Sequence, residues 1–386
     1  MPDMPTIKRI LVFADWYEPG YKAGGPIQSA RNFVIGMAGL FQVAVLTTDT
    51  DLGETYPYPD IPANQWVSRP PGIRIYYATR KLLNSALLLE LIDSQKPDFI
   101  YLNSMYSTRL TILPLLLLWR KKIQAKVVLS PRGMLRESAI RSKSTRKKIF
   151  ISLLNRLGIP ENIHFHATDE QEKKDIHRYF PRAGRVVLIP NFSATLPQGL
   201  SFLEKVPGRL RCVFISRIMG IKNILFFLQV LQSVPISILL ELAIYGEVED
   251  AAYWQESQKQ IQSLPKHIQV NYHGPLPHAQ VIPTLEQHHI FVLPTRGENF
   301  GHAIYEALTA GRPVLISDKT PWLGLREKEI GWDLSLDEPA SWLKAVEEAA
   351  GFDQSTYNRW SARCREFAGD HQEKSDLKKE YIKLFT

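Results

Sequence analysis

Short apolar runs alternate with amphipathic stretches along the whole chain. In the first half, Arg9 to Ala14, Gln42 to Thr47, Ile73 to Tyr77, Phe99 to Leu102, Lys126 to Ser130 and Val186 to Ile189 have the length and apolarity of buried strands. Ile27 to Ala38 and Leu82 to Ser94 have helical spacing. Residues 192–208, with two Pro and two Gly, form the natural linker. The pattern then restarts. Cys212 to Ile215, Leu242 to Tyr245, Ile268 to Tyr272, Ile290 to Leu293 and Val314 to Ile316 read as strands, with helices near Asn223 to Leu231, Ala252 to Leu264 and Gln280 to Gln287. Strands separated by helices predict open parallel sheets, hence two α/β units. The expected division is a first domain over 1–195, a second over 205–354, and closing helices over 355–386, at about Ser355 to Phe367 and Glu373 to Phe385.

The chain is most informative from Leu293 to Pro313. Pro294 stops a buried strand, a polar loop runs from Thr295 to Asn299, and a helix is predicted from near Gly301 through Leu308. Gly311 and Pro313 mark its end. In a parallel sheet such a loop lies at the carboxyl edge, where ligands bind. Backbone N–H groups of Phe300, Gly301 and His302 at the helix start make an anion site, and Gly301 permits close backbone approach. Glu298 precedes the helix and Glu306 lies inside it. That arrangement suits a ligand with phosphate in the middle and hydroxyl groups at both ends, such as a nucleotide sugar.

The stretch resembles the Glu-x7-Glu signature of retaining GT-B glycosyltransferases of family 4, the group 1 type. The ending Ala310-Gly311-Arg312-Pro313-Val314 matches as well. The resemblance covers most of the chain and implies two doubly wound, Rossmann-like domains facing across a cleft. It implies that Glu298 contacts the transferred sugar and Glu306 the ribose hydroxyls, with Asn299, Phe300 and Gly301 lining the donor. Arg217 and Lys222, in Phe-Ile-Ser-Arg-Ile-Met-Gly-Ile-Lys-Asn, match the family's pair of cations on the donor diphosphate. Fixed cations aimed at developing charge lower a barrier, so no metal and no further cofactor is expected beside a UDP- or GDP-sugar co-substrate. Gly24 and Gly25 match a glycine pair that faces the diphosphate from the first domain, and the closing helices are expected to cross back onto that domain.

Two places are less clear-cut. The family often has a His after the strand that Phe99 to Leu102 represents; here Asn103-Ser104 stands there, with Asn103 a polar substitute. Ser130-Pro131-Arg132-Gly133 resembles a loop of bacterial surface-polysaccharide members, placing Arg132 on the acceptor side, although a turn with an exposed Arg reads equally well. His164 and His166 alternate along a strand without converging metal ligands, so a structural role is expected.

Charge adds a partner. Residues 1–195 hold 27 Lys+Arg against 16 Asp+Glu, and residues 101–150 hold 12 basic residues and one acid, Glu137. Arg141, Lys143, Arg146, Lys147 and Lys148 precede Phe150, Leu153, Leu154 and Leu157 at helical spacing. Such a helix lies on an anionic membrane surface or contributes its stripe to the core. No nucleic-acid motif accompanies the charge. Two distant Cys, Cys212 and Cys364, favour a reducing cytoplasm, and Met1 to Arg9 lacks the apolar segment of a signal peptide. The expected protein is thus a cytoplasmic enzyme, peripheral on the membrane's inner face, that joins a sugar to a glycan or lipid-linked acceptor. A sugar-nucleotide epimerase of the same fold and a silent sugar-nucleotide-binding subunit are the competing readings. The presence of both acids with both cations argues against the silent one.

Overall fold

The computed structural model describes residues 7–141, 144–192, 203–373 and 377–386. It divides into two compact units, one of residues 1–192 with 376–386 and one of residues 193–375.

The first unit carries β1 (Arg9–Phe13), α1 (Gly25–Met37), β2 (Gln42–Thr48), β3 (Trp66–Arg69), β4 (Ile73–Ala78), α2 (Ser85–Gln95) and β5 (Phe99–Leu102). It continues with α3 (Leu113–Trp119), β6 (Lys126–Leu129), α4 (Glu137–Arg141), α5 (Ser144–Arg156), β7 (His164–Ala167), α6 (Glu170–Tyr179) and β8 (Val186–Leu188). The sheet order is β3-β4-β2-β1-β5-β6-β7-β8, and every pair is parallel except β3 with β4. Alternate residues serve opposite faces: Leu11 and Phe13 join one core cluster, Ile10 and Val12 the other.

The second unit carries β9 (Arg209–Ile215), α7 (Ile224–Leu231), β10 (Leu239–Tyr245), α8 (Ala251–Gln262), β11 (Ile268–Tyr272), α9 (Val281–Glu286) and β12 (Ile290–Leu293). Then come α10 (His302–Thr309), β13 (Val314–Ser317), β14 (Gly331–Leu334), α11 (Pro339–Gly351) and α12 (Gln354–Glu373). Its parallel sheet runs β11-β10-β9-β12-β13-β14 over one core. Each sheet reverses direction once, between β1 and β5 and between β9 and β12.

β3, β14 and α11 are among the elements that escape the periodicity argument. β3 is a half-exposed edge strand with two apolar residues, Trp66 and Val67. β14 contains Gly331 and Asp333, which read as turn residues; the Asp333 carboxylate accepts the Gly324 and Leu325 N–H groups instead. α11 begins at Pro339, whose fixed φ suits a first helical position. Of the linker expected at 192–208, residues 193–202 lie outside the described residues, and β9 begins at Arg209.

The closing helices do not move as one block. α12 stays with the second unit, where Tyr357 bonds the buried Arg312 at 2.5 Å and Ala368 O accepts from Tyr305. The following α13 (Leu377–Leu384) joins the first unit, where Tyr381 stacks on Phe192 with centroids 4.5 Å apart. The expected apolar stripe on α5 also divides. Phe150, Leu154 and Leu157 pack inward, whereas Leu153 is 46% exposed beside Ile149 at 64%. Lys147 lies 5.1 Å from the centre of the Tyr106 ring and donates to Ala139 O, so the exposed cations of this helix are Arg146, Lys148 and, at its end, Arg156. Lys143 lies outside the described residues. Among the described residues no helix is long and apolar enough to cross a membrane.

Candidate active site

The two loops that meet where the second sheet reverses, after β9 and after β12, carry Arg217, Lys222 and Glu298, and Glu306 lies in the helix that follows. The carboxyl edge at such a switch point is where open α/β sheets bind ligands. Main-chain bonds clamp the loops together. Ile221 O accepts Arg296 N–H at 2.7 Å and Thr295 Oγ at 3.1 Å, and Lys319 O accepts Glu298 N–H at 3.1 Å. Lys222 and Glu298 are thereby set side by side, Nζ to Oε2 at 2.6 Å.

Burial pushes the Glu298 carboxyl up. The Lys222 ammonium and its hydrogen bond, the Asn299 N–H and the Arg217 charge together outweigh burial and hold the group below its ordinary value. Glu298 therefore stands as a carboxylate with a bound cation. Arg217 has a second partner, Glu249 Oε2 at 2.5 Å. The segment around buried Ile218 is zipped to residues 247–250, with Ile218 N–H on Glu247 O at 2.8 Å and Glu249 N–H on Ile218 O at 3.1 Å.

Gly301 caps α10 at φ 77°. The positive φ favours glycine, and a Cβ there would sit 2.8 Å from Ile304 Cδ1 and 3.1 Å from Glu298 Cγ, so both side chains would have to give way. Ile304 and Tyr305 N–H return to Gly301 O. At the other end, Gly311 N–H on Leu308 O and Arg312 N–H on Ala307 O close a Schellman turn. Phe300 serves packing: its ring meets His302, Tyr305, Trp322 and His371, and its carbonyl accepts Trp322 Nε1 at 2.5 Å. Glu306 is 5% exposed on α10, with His278 Nε2 3.0 Å from its Oε1. Glu249 and His278 were invisible to the sequence argument; they lie 32 and 28 positions from the residues they touch, with no motif to announce them.

In the first unit the corresponding reversal lies between β1 and β5. Gly24, at φ 62°, precedes α1, and a Cβ on Gly24 or Gly25 would meet nothing within 4 Å, so the turn is open. Asn103 follows β5 and donates to Pro26 O at 3.4 Å. Arg132 is a hub. Its Nε donates to Asn103 Oδ1 at 2.8 Å, and its terminal nitrogens donate to Tyr101 OH and Asn191. Tyr101 meets His166 Nδ1 at 2.7 Å, and burial drives the His166 pKa down to about 3, so the ring is neutral. Its Nε2 lies 2.8 Å from Ile189 O, so both ring nitrogens have partners inside the unit. Asp15 at the end of β1 receives hydrogen bonds from Ser104 and Ser107. Among the described residues no group of three His, Cys, Asp or Glu side chains is placed to hold a metal ion.

Two α/β sheets, parallel but for β3 and each with one reversal of strand order, have the architecture of the GT-B glycosyltransferases. Residues 24–191 match the glycosyl transferase 4-like domain and residues 201–327 the glycosyl transferases group 1 domain; the chain belongs to the group 1 glycosyltransferases. The fold is similar to sucrose-phosphate synthase from Thermosynechococcus elongatus, with TM-score 0.70 and 17% identity over 98% of both chains. It is similar to WaaG, a glycosyltransferase involved in lipopolysaccharide biosynthesis, with TM-score 0.64 and 12% identity over 97% of this chain and 98% of that one. Anabaena Alr3699/HepE in complex with UDP-glucose gives TM-score 0.62 and 13% identity over 97% and 98%. No curated protein matches the chain in sequence.

Proposed function

We propose that the protein transfers a sugar from a UDP- or GDP-sugar to an acceptor hydroxyl with retention of anomeric configuration and without a metal. The observation that carries this is the clamped pair Lys222–Glu298 beside the start of α10, with Arg217 and the buried Glu306 in the same unit. Cleavage of the sugar–phosphate bond leaves charge on the diphosphate. Lys222, Arg217 and the N–H groups opening α10 are preorganised donors for that charge, which is where electrostatic catalysis acts. Glu298, kept ionised, is suited to accept from sugar hydroxyls and to stabilise positive charge developing at the anomeric carbon. Glu306 is assigned the ribose hydroxyls. The protein complexed with UDP-glucose that shares this fold supports the donor class.

The first unit is assigned the acceptor, with Asn103 among its polar contacts. Its basic surface fits a lipid-linked acceptor in polysaccharide or glycolipid assembly, with the enzyme peripheral on an anionic membrane through Arg146, Lys148, Ile149 and Leu153 of α5. The direct test is donor hydrolysis with UDP- and GDP-sugars, followed by NMR of the anomer first released. Retention is expected; the inverted anomer overturns the proposal.

A further inference from the structure

The two oxygens of Glu306 are not equivalent. Oε1 lies 3.0 Å from His278 Nε2, and among the described residues no hydrogen bond reaches Oε2. A carboxylate only accepts, so the imidazole proton is on Nε2. His278 opens the short turn His278–Gln280 that leads into α9. Its mount is rigid. Pro275 and Pro277 bracket Leu276, which packs on the core, and Gln280 N–H bonds Pro277 O at 2.9 Å. Gly274 O accepts Gly246 N–H at 2.9 Å, tying the same loop to the end of β10. The donor that meets Glu306 is therefore tied to the sheet through its own loop.

The terminal torsion of a Glu side chain is broad, so a carboxylate is not aimed by its own rotamer preference. One N–H from a fixed ring removes that freedom. We propose that His278 is a positioning residue: it holds Glu306 Oε1 so that Oε2 is presented to the ribose hydroxyls, and so sets the preference for ribonucleotides over deoxyribonucleotides. This rests on the donor reading of Glu306 given above. A site built to receive a hydroxyl rejects the ligand that lacks it, because its own polar group is left unpaired.

The test is calorimetric binding of UDP, GDP and their 2′-deoxy counterparts to wild-type protein and to His278→Ala, His278→Asn and His278→Gln. Gln places an amide N–H near the position of Nε2; Asn does not reach it. His278→Ala and His278→Asn should each lose about tenfold affinity for the better of UDP and GDP, the scale of one hydrogen bond to a charged group. His278→Gln should recover to within about threefold of wild type, and the Ala penalty should shrink to under about threefold for the 2′-deoxy nucleotide. In a Glu306→Ala background, His278→Ala should cost nothing further. An equal penalty for ribo- and deoxynucleotides, or a penalty that persists without Glu306, overturns the inference and leaves the donor reading standing. So does a His278→Gln variant that melts like wild type yet binds as weakly as His278→Ala. Glu306→Ala without effect on nucleotide affinity removes the donor reading, and this inference with it.

Discussion

Lys222 Nζ and Glu298 Oε2 stand 2.6 Å apart, although 76 positions separate them in the chain. The pair joins the loop after β9 to the loop after β12. It also contributes the largest of the influences that hold the Glu298 carboxyl below its ordinary value against burial.

The sign of that coupling is open to measurement. The folded-state pKa of Glu298 lies below 4.5, so its contribution to stability is present above the unfolded value and is lost as pH falls through the folded one. Lys222→Met leaves burial as the largest influence. The carboxyl should then titrate above 4.5, and acidification through that new value should stabilise the variant. Carbon-detected titration of labelled Glu carboxyls, with Glu298→Gln to assign the signal, reads this directly. An unchanged titration would sink the coupling. Turnover should fall by about 10²–10³, as when one preorganised donor to a developing charge is removed.

Gly301→Ala tests the cap. At φ 77° an L-residue costs about 1–2 kcal/mol, and the new Cβ presses on Ile304 and Glu298. Melting temperature should drop and turnover should drop further, because Glu298 is displaced. A variant with wild-type turnover places the acid outside the chemistry.

Chelation separates cation side chains from a metal. With Arg217 and Lys222 as the proposed charge on the diphosphate, transfer should continue in EDTA. Loss of activity that Mg²⁺ or Mn²⁺ restores refutes the metal-free proposal.

Membrane association should run through the outward face of α5. Each basic residue near an anionic surface contributes about 1 kcal/mol, screened within ~10 Å at 0.1 M salt. Arg146→Gln with Lys148→Gln should weaken binding to anionic vesicles, and Ile149→Ser with Leu153→Ser should weaken it again, while donor hydrolysis is unchanged. Flotation that ignores lipid charge would discard this surface.

Much of this was legible in the sequence because it is local. The strand–loop–helix around Glu298 and Gly301 has its signals within about twenty positions, on the scale at which hydrophobic period and turn chemistry act. Strands such as Phe99–Leu102 and Ile290–Leu293 coincide with their expected limits because both faces are buried and the runs are continuously apolar. What was not legible depends on partners that only the fold supplies. Glu249 beside Arg217 and His278 beside Glu306 are contacts between loops. The α5 stripe shows the same limit: helical spacing put Leu153 with Phe150 and Leu154, but the neighbouring core has room for only part of that face. Arg132, read as an acceptor-side residue or an exposed turn, spends its donors on Asn103, Asn191 and Tyr101.

The division between α12 and α13 has a consequence for biosynthesis. Residues 203–373 belong to the second unit without interruption, whereas the first unit needs Leu377, Tyr381, Leu384 and Phe385 for one of its two core clusters. Phe385 alone meets Phe33, Phe41, Phe99 and Tyr101. On the ribosome, the first unit is therefore begun before the second and completed after it: its core keeps an open socket until the residues of α13 leave the exit tunnel.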